Sequence, residues 1–181
     1  MPFKYYGGVH PDYAKTASKT PVRTISPPPV VVLPMIQQIG APNRPVVKVG
    51  DTVKMGQLIG TSDAPVSAPV HASVSGKVIA VEPRRHMLGD MVMSVVIEND
   101  FQDTPCEDMK PLTEEQLRDP DAIVARIREA GVVGMGGAMF PTAFKIQGAR
   151  GKVDTVIING AECEPYLCGD HRTMLEHPEE L

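Results

Sequence analysis

Between Val47 and Val81 apolar and polar side chains alternate in short bursts: Val47, Val49, Val53 and Met55, then Val66, Ala68 and Val70, then Val74, Val78 and Val81. Alternation with a period near two puts one face of a strand in a core and the other in water. Gly50-Asp51, Met55-Gly56 and Ser75-Gly76 punctuate these bursts as turns. Short strands at this spacing predict a small all-β barrel or sandwich over residues 41–105. Upstream, Pro27 to Pro29 should run as extended polyproline and deliver Val30 to Leu33 as a short strand. Residues 1–40 thus read as an extended, proline-rich lead-in.

From residue 113 onward the pattern changes. Asp119 suits an N-cap, Pro120 the first helical position and Gly131 a helix end, while Ile123, Val124 and Ile127 share one face. An amphipathic helix of about ten residues follows, with Arg126, Arg128 and Glu129 on its wet side. It leads into "GVVGMGGAMFPTAFK", residues 131–145, and a second short helix is expected from Pro141 to Gln147. "KVDTVIING" then reads as a buried strand ending at Asn159-Gly160, "AECEPYLCGDH" as a loop, and "RTMLEHPEEL" as a helix that breaks off. The chain as a whole predicts a multi-domain α+β protein.

Composition narrows the chemistry. Trp is absent, Phe and Tyr make only 4% of the chain, and the net charge is −4, which argues against stacking on single-stranded nucleic acid and against phosphate-backbone binding. No stretch approaches the ~20 apolar residues of a transmembrane helix, and "MPFKYYGGVHPDYAKT" has no signal-peptide core, so a cytoplasmic chain without a membrane span is expected. Cys106, Cys163 and Cys168 form no CxxC pair. Their number and spacing fit idle thiols in a reducing compartment, not the four-thiolate pattern of an iron–sulfur cluster, so no metal site is expected here.

The loop at 131–137 packs four glycines into seven positions. It follows a helix where a dinucleotide fingerprint would follow a strand, and it lacks the Gly-Lys-Ser/Thr ending of a P-loop. Two readings remain. Bare backbone N–H groups, the positive end of the helix after Pro141, and Lys145 one turn in would together suit a phosphate; alternatively, the glycines merely let two helices pack closely. Asn159, Glu162 and Glu164 stand at the carboxyl end of the expected strand, where ligands of α/β sheets sit.

Two resemblances join these pieces. "VKVGDTVKMGQLIG" with "VSAPVHASVSGKV" looks like the barrel-sandwich hybrid of biotinyl and lipoyl carriers, but "TSDAPVSAPVH" offers no lysine for a swinging arm, and Lys77 should lie on a strand. "GVVGMGGAMFPTAFK…NGAECEP" resembles the flavin- and NADH-binding subunit of respiratory complex I. With "GGVHP" and "VVLPMIQQIGAPNRPVVKVGDTVKMGQLIG" in the same order, the chain is similar to the amino-terminal part of the C-subunit family of Rnf (Rsx) electron-transport complexes. That resemblance implies an α/β flavin domain beginning in residues 113–181. It implies a peripheral subunit of an ion-translocating ferredoxin:NAD+ oxidoreductase on the cytoplasmic face of the cell membrane, beside membrane and iron–sulfur partner subunits. FMN and NAD(H) are the implied cofactors, with two [4Fe–4S] clusters beyond Leu181. Gly134, Gly136, Gly137 and Ala138 would line FMN, Lys145 would meet its phosphate, and Asn159 and Glu162 would belong to the flavin loop. Phe140 and Glu164 would lie near the nicotinamide nucleotide. Met139 stands where the family usually has glycine, which would crowd the flavin or alter the local backbone angle. A cobalamin-reducing flavoprotein of the propanediol-utilising type and a non-catalytic docking module are the alternatives.

Overall fold

The computed structural model describes residues 7–9, 11, 12, 14–135 and 137–180. It divides into two compact units, Ser26–Asp154 and a smaller one made of Met1–Ile25 with Thr155–Leu181.

The larger unit is built on two antiparallel sheets. Strands β1 (Val30–Pro34), β7 (Met91–Asn99), β6 (Gly76–Arg85) and β3 (Thr52–Val53) form one sheet in the order β1-β7-β6-β3. Strands β2 (Arg44–Pro45), β4 (Leu58–Thr61) and β5 (Val70–His71) form the other, in the order β2-β4-β5. Val53, Ile59, Val70, Val78, Val95 and Ile97 point into a shared core closed by Met35, Ala72 and Val74. Val53, Val70, Val74 and Val78 come from the alternating pattern, whose Val49 is instead exposed, and β7 adds a run of four consecutive buried residues from Ser94 to Ile97 that hides both faces. Strand β1 pairs along β7 from Val30↔Glu98 to Pro34↔Ser94, so the lead-in supplies a strand of this sheet. Lys77 lies on β6 opposite Thr52.

Buried polar groups stitch the loops to the strands. The Asn43 amide donates to the carbonyls of Met35 (3.2 Å) and Ala68 (2.9 Å). Ser75 donates its hydroxyl to the Asp100 carboxylate at 2.7 Å and accepts the Thr104 N–H at 3.0 Å. Removing either side chain would strand the partners it serves, although Asn43 Oδ1 is itself buried without a hydrogen-bond partner among the described residues.

Helix α1 (Pro120–Glu129) begins as its residues predict: the Asp119 carboxylate accepts the Asp121 N–H at 2.9 Å, with Pro120 in the first turn. The Gly131 N–H donates to Arg128 O at its carboxyl end. Helix α2 (Thr142–Ala149) packs against α1, and an Arg150–Asp121 ion pair joins the end of one to the start of the other. Arg126 is not on the wet side; it is half-buried, and its guanidinium donates to the carbonyls of Asp108 (2.9 Å) and Lys110 (2.6 Å). Arg128 donates to Pro65 O in the β4–β5 connection at 3.0 Å. Arg128 thus fastens α1 to the barrel, and Arg126 fastens it to the segment that follows β7, both through backbone acceptors.

In the smaller unit, helix α3 (Gly169–Glu176) is tied to the lead-in. Val22 N–H meets both Glu176 carboxylate oxygens at 3.2 Å, and Arg172 pairs with Glu176 while also donating to Ser18 O at 3.3 Å. The segment "KVDTVIING" differs from its expected state. It forms no strand, and Val156, Ile157 and Ile158 are 82%, 84% and 82% exposed. A strand buried on both faces needs ladder partners and covering helices, and among the described residues no strand pairs with this run.

Candidate functional site

The glycine loop is a closed hairpin between α1 and α2. Val133 bridges Pro141, the Gly134 N–H donates to Phe140 O at 3.0 Å, and the Thr142 N–H donates to Val132 O at 3.0 Å. Gly134 therefore spends its amide on closing the loop. Gly136 lies outside the described residues. Gly137 has φ +59°, and a Cβ placed on it would meet nothing within 4 Å, so this stretch of backbone faces open space. Met139 also takes a left-handed angle, φ +50°. Its methionine thus occupies a conformation that L side chains enter at a cost of roughly 1–2 kcal/mol and that glycine enters freely.

Helix α2 leaves this loop with no side-chain cap and no acidic residue in its first turn. No carboxylate of its own first turn therefore offsets its positive end. Lys145 is exposed on it and makes no ion pair among the described residues. Phe140 is half-buried at the loop's exit and packs edge-on against Phe144, ring centroids 5.8 Å apart. The donor set suits a phosphate group: open backbone at Gly137, a helix start without a side-chain cap, and an ammonium with no ion pair among the described residues.

In the smaller unit, Asn159 closes an Asx turn by accepting the Ala161 N–H at 2.9 Å. Glu162 accepts the His171 N–H at 3.0 Å, so its carboxylate lies on the first turn of α3. Glu164 is exposed, with its carbonyl accepting the Leu167 N–H at 3.2 Å. The loop is thus held in shape by two of its own predicted residues and presents the third to solvent.

Sequence reasoning missed the residues beneath the glycine loop. His71, on β5, is half-buried under the end of α1. Burial of the ring, then the positive charge of Arg126, pull its pKa below the usual histidine value, partly opposed by the Glu129 backbone carbonyl. Burial and the Arg126 charge both favour the neutral ring. The Ile39 N–H reaches the loop itself and donates to Ala138 O at 3.1 Å. No local pattern signals either contact, because the partners stand far apart in sequence. A cleft of about 950 Å³ between the barrel and α1, walled by Arg126, Arg128, Lys110, His71, Glu107 and Asp108, includes none of the predicted site residues. No helix among the described residues is long and apolar enough to cross a membrane.

Comparison with known proteins places these features. Residues 127–181, which hold both the glycine loop and the Asn-Gly-Ala-Glu loop, match the Nuo51 FMN-binding domain. The C subunit of the Na(+)-translocating ferredoxin:NAD(+) oxidoreductase complex of Acetobacterium woodii is 50% identical over 98% of this chain. Its counterpart in the proton-translocating ferredoxin:NAD(+) oxidoreductase complex of Clostridium ljungdahlii is 45% identical over 98%. The counterpart in the ion-translocating oxidoreductase complex of Serratia proteamaculans is 40% identical over 97%. The chain spans 40%, 39% and 25% of the lengths of these relatives. Residues 3–102, more than half of the chain, match the RnfC Barrel sandwich hybrid domain, and the chain accordingly belongs to the RnfC family.

Proposed function

We propose that this chain supplies part of an FMN and NADH site in a peripheral subunit of an ion-translocating ferredoxin:NAD+ oxidoreductase, working at the cytoplasmic face of the cell membrane beside membrane and iron–sulfur subunits. The observation that carries the reading is the open backbone at Gly137 leading into a start of α2 without a side-chain cap, with Lys145 exposed and without an ion pair among the described residues. Bound FMN would supply the hydride and single-electron chemistry. The chain's own residues bind and orient. Lys145 neutralises phosphate charge. Gly136, Gly137 and Ala138 let the backbone approach the flavin, while Gly134 closes the loop that presents them. Asn159 and Glu162 shape the second loop against α3, and Phe140 and Glu164 serve the nicotinamide nucleotide. The two [4Fe–4S] clusters belong to other parts of the full-length protein.

The test is anaerobic reduction of the full-length protein. FMN retained after gel filtration should bleach on addition of NADH and recover with an electron acceptor. Full-length protein that holds no FMN, or FMN that NADH leaves oxidised, would overturn the reading in favour of a docking module.

A further inference from the structure

We infer that the barrel is the positioning element of the glycine loop, and that Gln38 and the Ile39 amide set the loop's ligand-ready shape. This rests on the reading of the loop as a flavin site.

The contacts run from the barrel outward. Gln38 is a buried amide, 7% exposed, at the turn that follows β1. Its Nε2 donates to Ala41 O at 3.2 Å and its Oε1 accepts the Gln37 N–H at 3.1 Å, so one side chain holds both ends of the turn. The Ala41 N–H in turn donates to Val66 O at 3.0 Å in the β4–β5 connection. A turn fixed from within and from the neighbouring loop presents its Ile39 N–H in one direction, and the acceptor it meets is Ala138 O, 3.1 Å away at the tip of the glycine loop. The base of the loop has a second seat on the barrel. Gly131 lies so close to β5 that a Cβ there would stand 2.5 Å from Pro69 O and 3.4 Å from Nδ1 of His71.

The loop is therefore pinned at its base and at its tip, with the open backbone of Gly137 adjacent to the tip contact. A glycine-rich loop loses much conformational freedom when it orders around a ligand. Pinning it beforehand removes part of that cost, which is what preorganisation contributes to affinity. Ile39 is half exposed, so its side chain carries little packing and the amide carries the contact.

The test uses full-length protein and two readouts, FMN titration and hydrogen exchange at residues 134–140. Ile39→Pro removes the donor, Ile39→Ala keeps it, and Gln38→Met removes both side-chain bonds in nearly the same volume. Ile39→Pro and Gln38→Met should weaken FMN binding by about threefold to tenfold, the worth of one hydrogen bond. They should speed exchange in the loop, with Gln38→Met also lowering the melting temperature because Ala41 O and the Gln37 N–H lose their partners, and Ile39→Ala should match the parent protein in both readouts. If Ile39→Pro fails to fold, Gln38→Met decides alone. Unchanged FMN affinity and exchange in Gln38→Met, alongside weakened binding in Lys145→Ala, would overturn the positioning role and leave the flavin reading standing. Unchanged affinity in all variants, including Lys145→Ala, would overturn both.

Discussion

Replacing Gly131 and Gly137 by alanine, one at a time, separates backbone strain from packing against the barrel. Both glycines hold left-handed angles, φ +68° and φ +59°. An alanine at either pays roughly 1–2 kcal/mol for that conformation, offset by about 0.5–1 kcal/mol because the unfolded chain loses glycine's freedom. Gly137→Ala adds a methyl group into open space and should therefore cost about 0.5–1 kcal/mol. The same methyl at Gly131 would stand 2.5 Å from Pro69 O, which belongs to the barrel backbone and cannot rotate away. Overpacking of this kind adds about 1–3 kcal/mol, for a total near 2–3 kcal/mol. Urea denaturation followed by far-UV circular dichroism reads the difference. With a slope of about 1–3 kcal/mol per molar, Gly131→Ala should lower the midpoint by about 1 M and Gly137→Ala by less than half of that. Equal midpoints for the two variants would refute the seat of Gly131 on Pro69, and with it one of the two attachments of the loop to the barrel.

Met139→Gly should leave stability unchanged or raise it by up to about 1 kcal/mol, since the left-handed angle of φ +50° then costs nothing; a loss beyond that in thermal denaturation would mean that the methionine side chain packs usefully. Ser75→Ala should destabilise the barrel by about 1–3 kcal/mol, because the Thr104 N–H loses its acceptor and Asp100 its donor. The pH dependence has a definite sign. The Ser75 hydroxyl first, then the Gln102 N–H, hold the Asp100 carboxyl below the usual aspartate range. A folded pKa lowered in this way adds stability that is present above the unfolded value and is lost as pH falls through the folded one. The gap between parent and Ser75→Ala should therefore narrow in acid, and a gap that widened as pH fell would contradict the assignment. Glu164→Gln should spare flavin content in full-length protein and change chiefly the KM for NADH; a matching loss of FMN would move Glu164 into the flavin loop.

What could be read from the sequence was local. The alternating valines place Val53, Val70, Val78 and their neighbours in the core because a strand's two faces differ by one residue. The capping of α1 was legible because Asp119, Pro120 and Asp121 settle it among themselves. The carrier-like hairpin without a lysine and the departure at Met139 were equally plain, and the methionine sits at a left-handed angle, φ +50°. Contacts between distant segments were not legible. Arg126 looks like a wet helix residue until the carbonyls of Asp108 and Lys110 come within reach, and Arg128, exposed as expected, also reaches Pro65 O. Glu162 looks like a free acid of the ligand loop until α3 brings the His171 N–H to it. "TVII" has the apolar run of a buried strand, yet a strand is a property of a sheet, and Val156 to Ile158 stand exposed without one.

The most direct measurement of the central claim is FMN affinity in full-length protein with and without Lys145. The ammonium is exposed on α2 and makes no ion pair among the described residues, so Lys145→Ala disrupts no ion pair described for it. On the proposed reading it removes one charge-assisted contact to phosphate. Flavin-fluorescence titration should show binding weakened about tenfold to a hundredfold, with the far-UV spectrum unchanged. An FMN dissociation constant equal to that of the parent would contradict the account and leave the glycine loop as a packing turn between two helices.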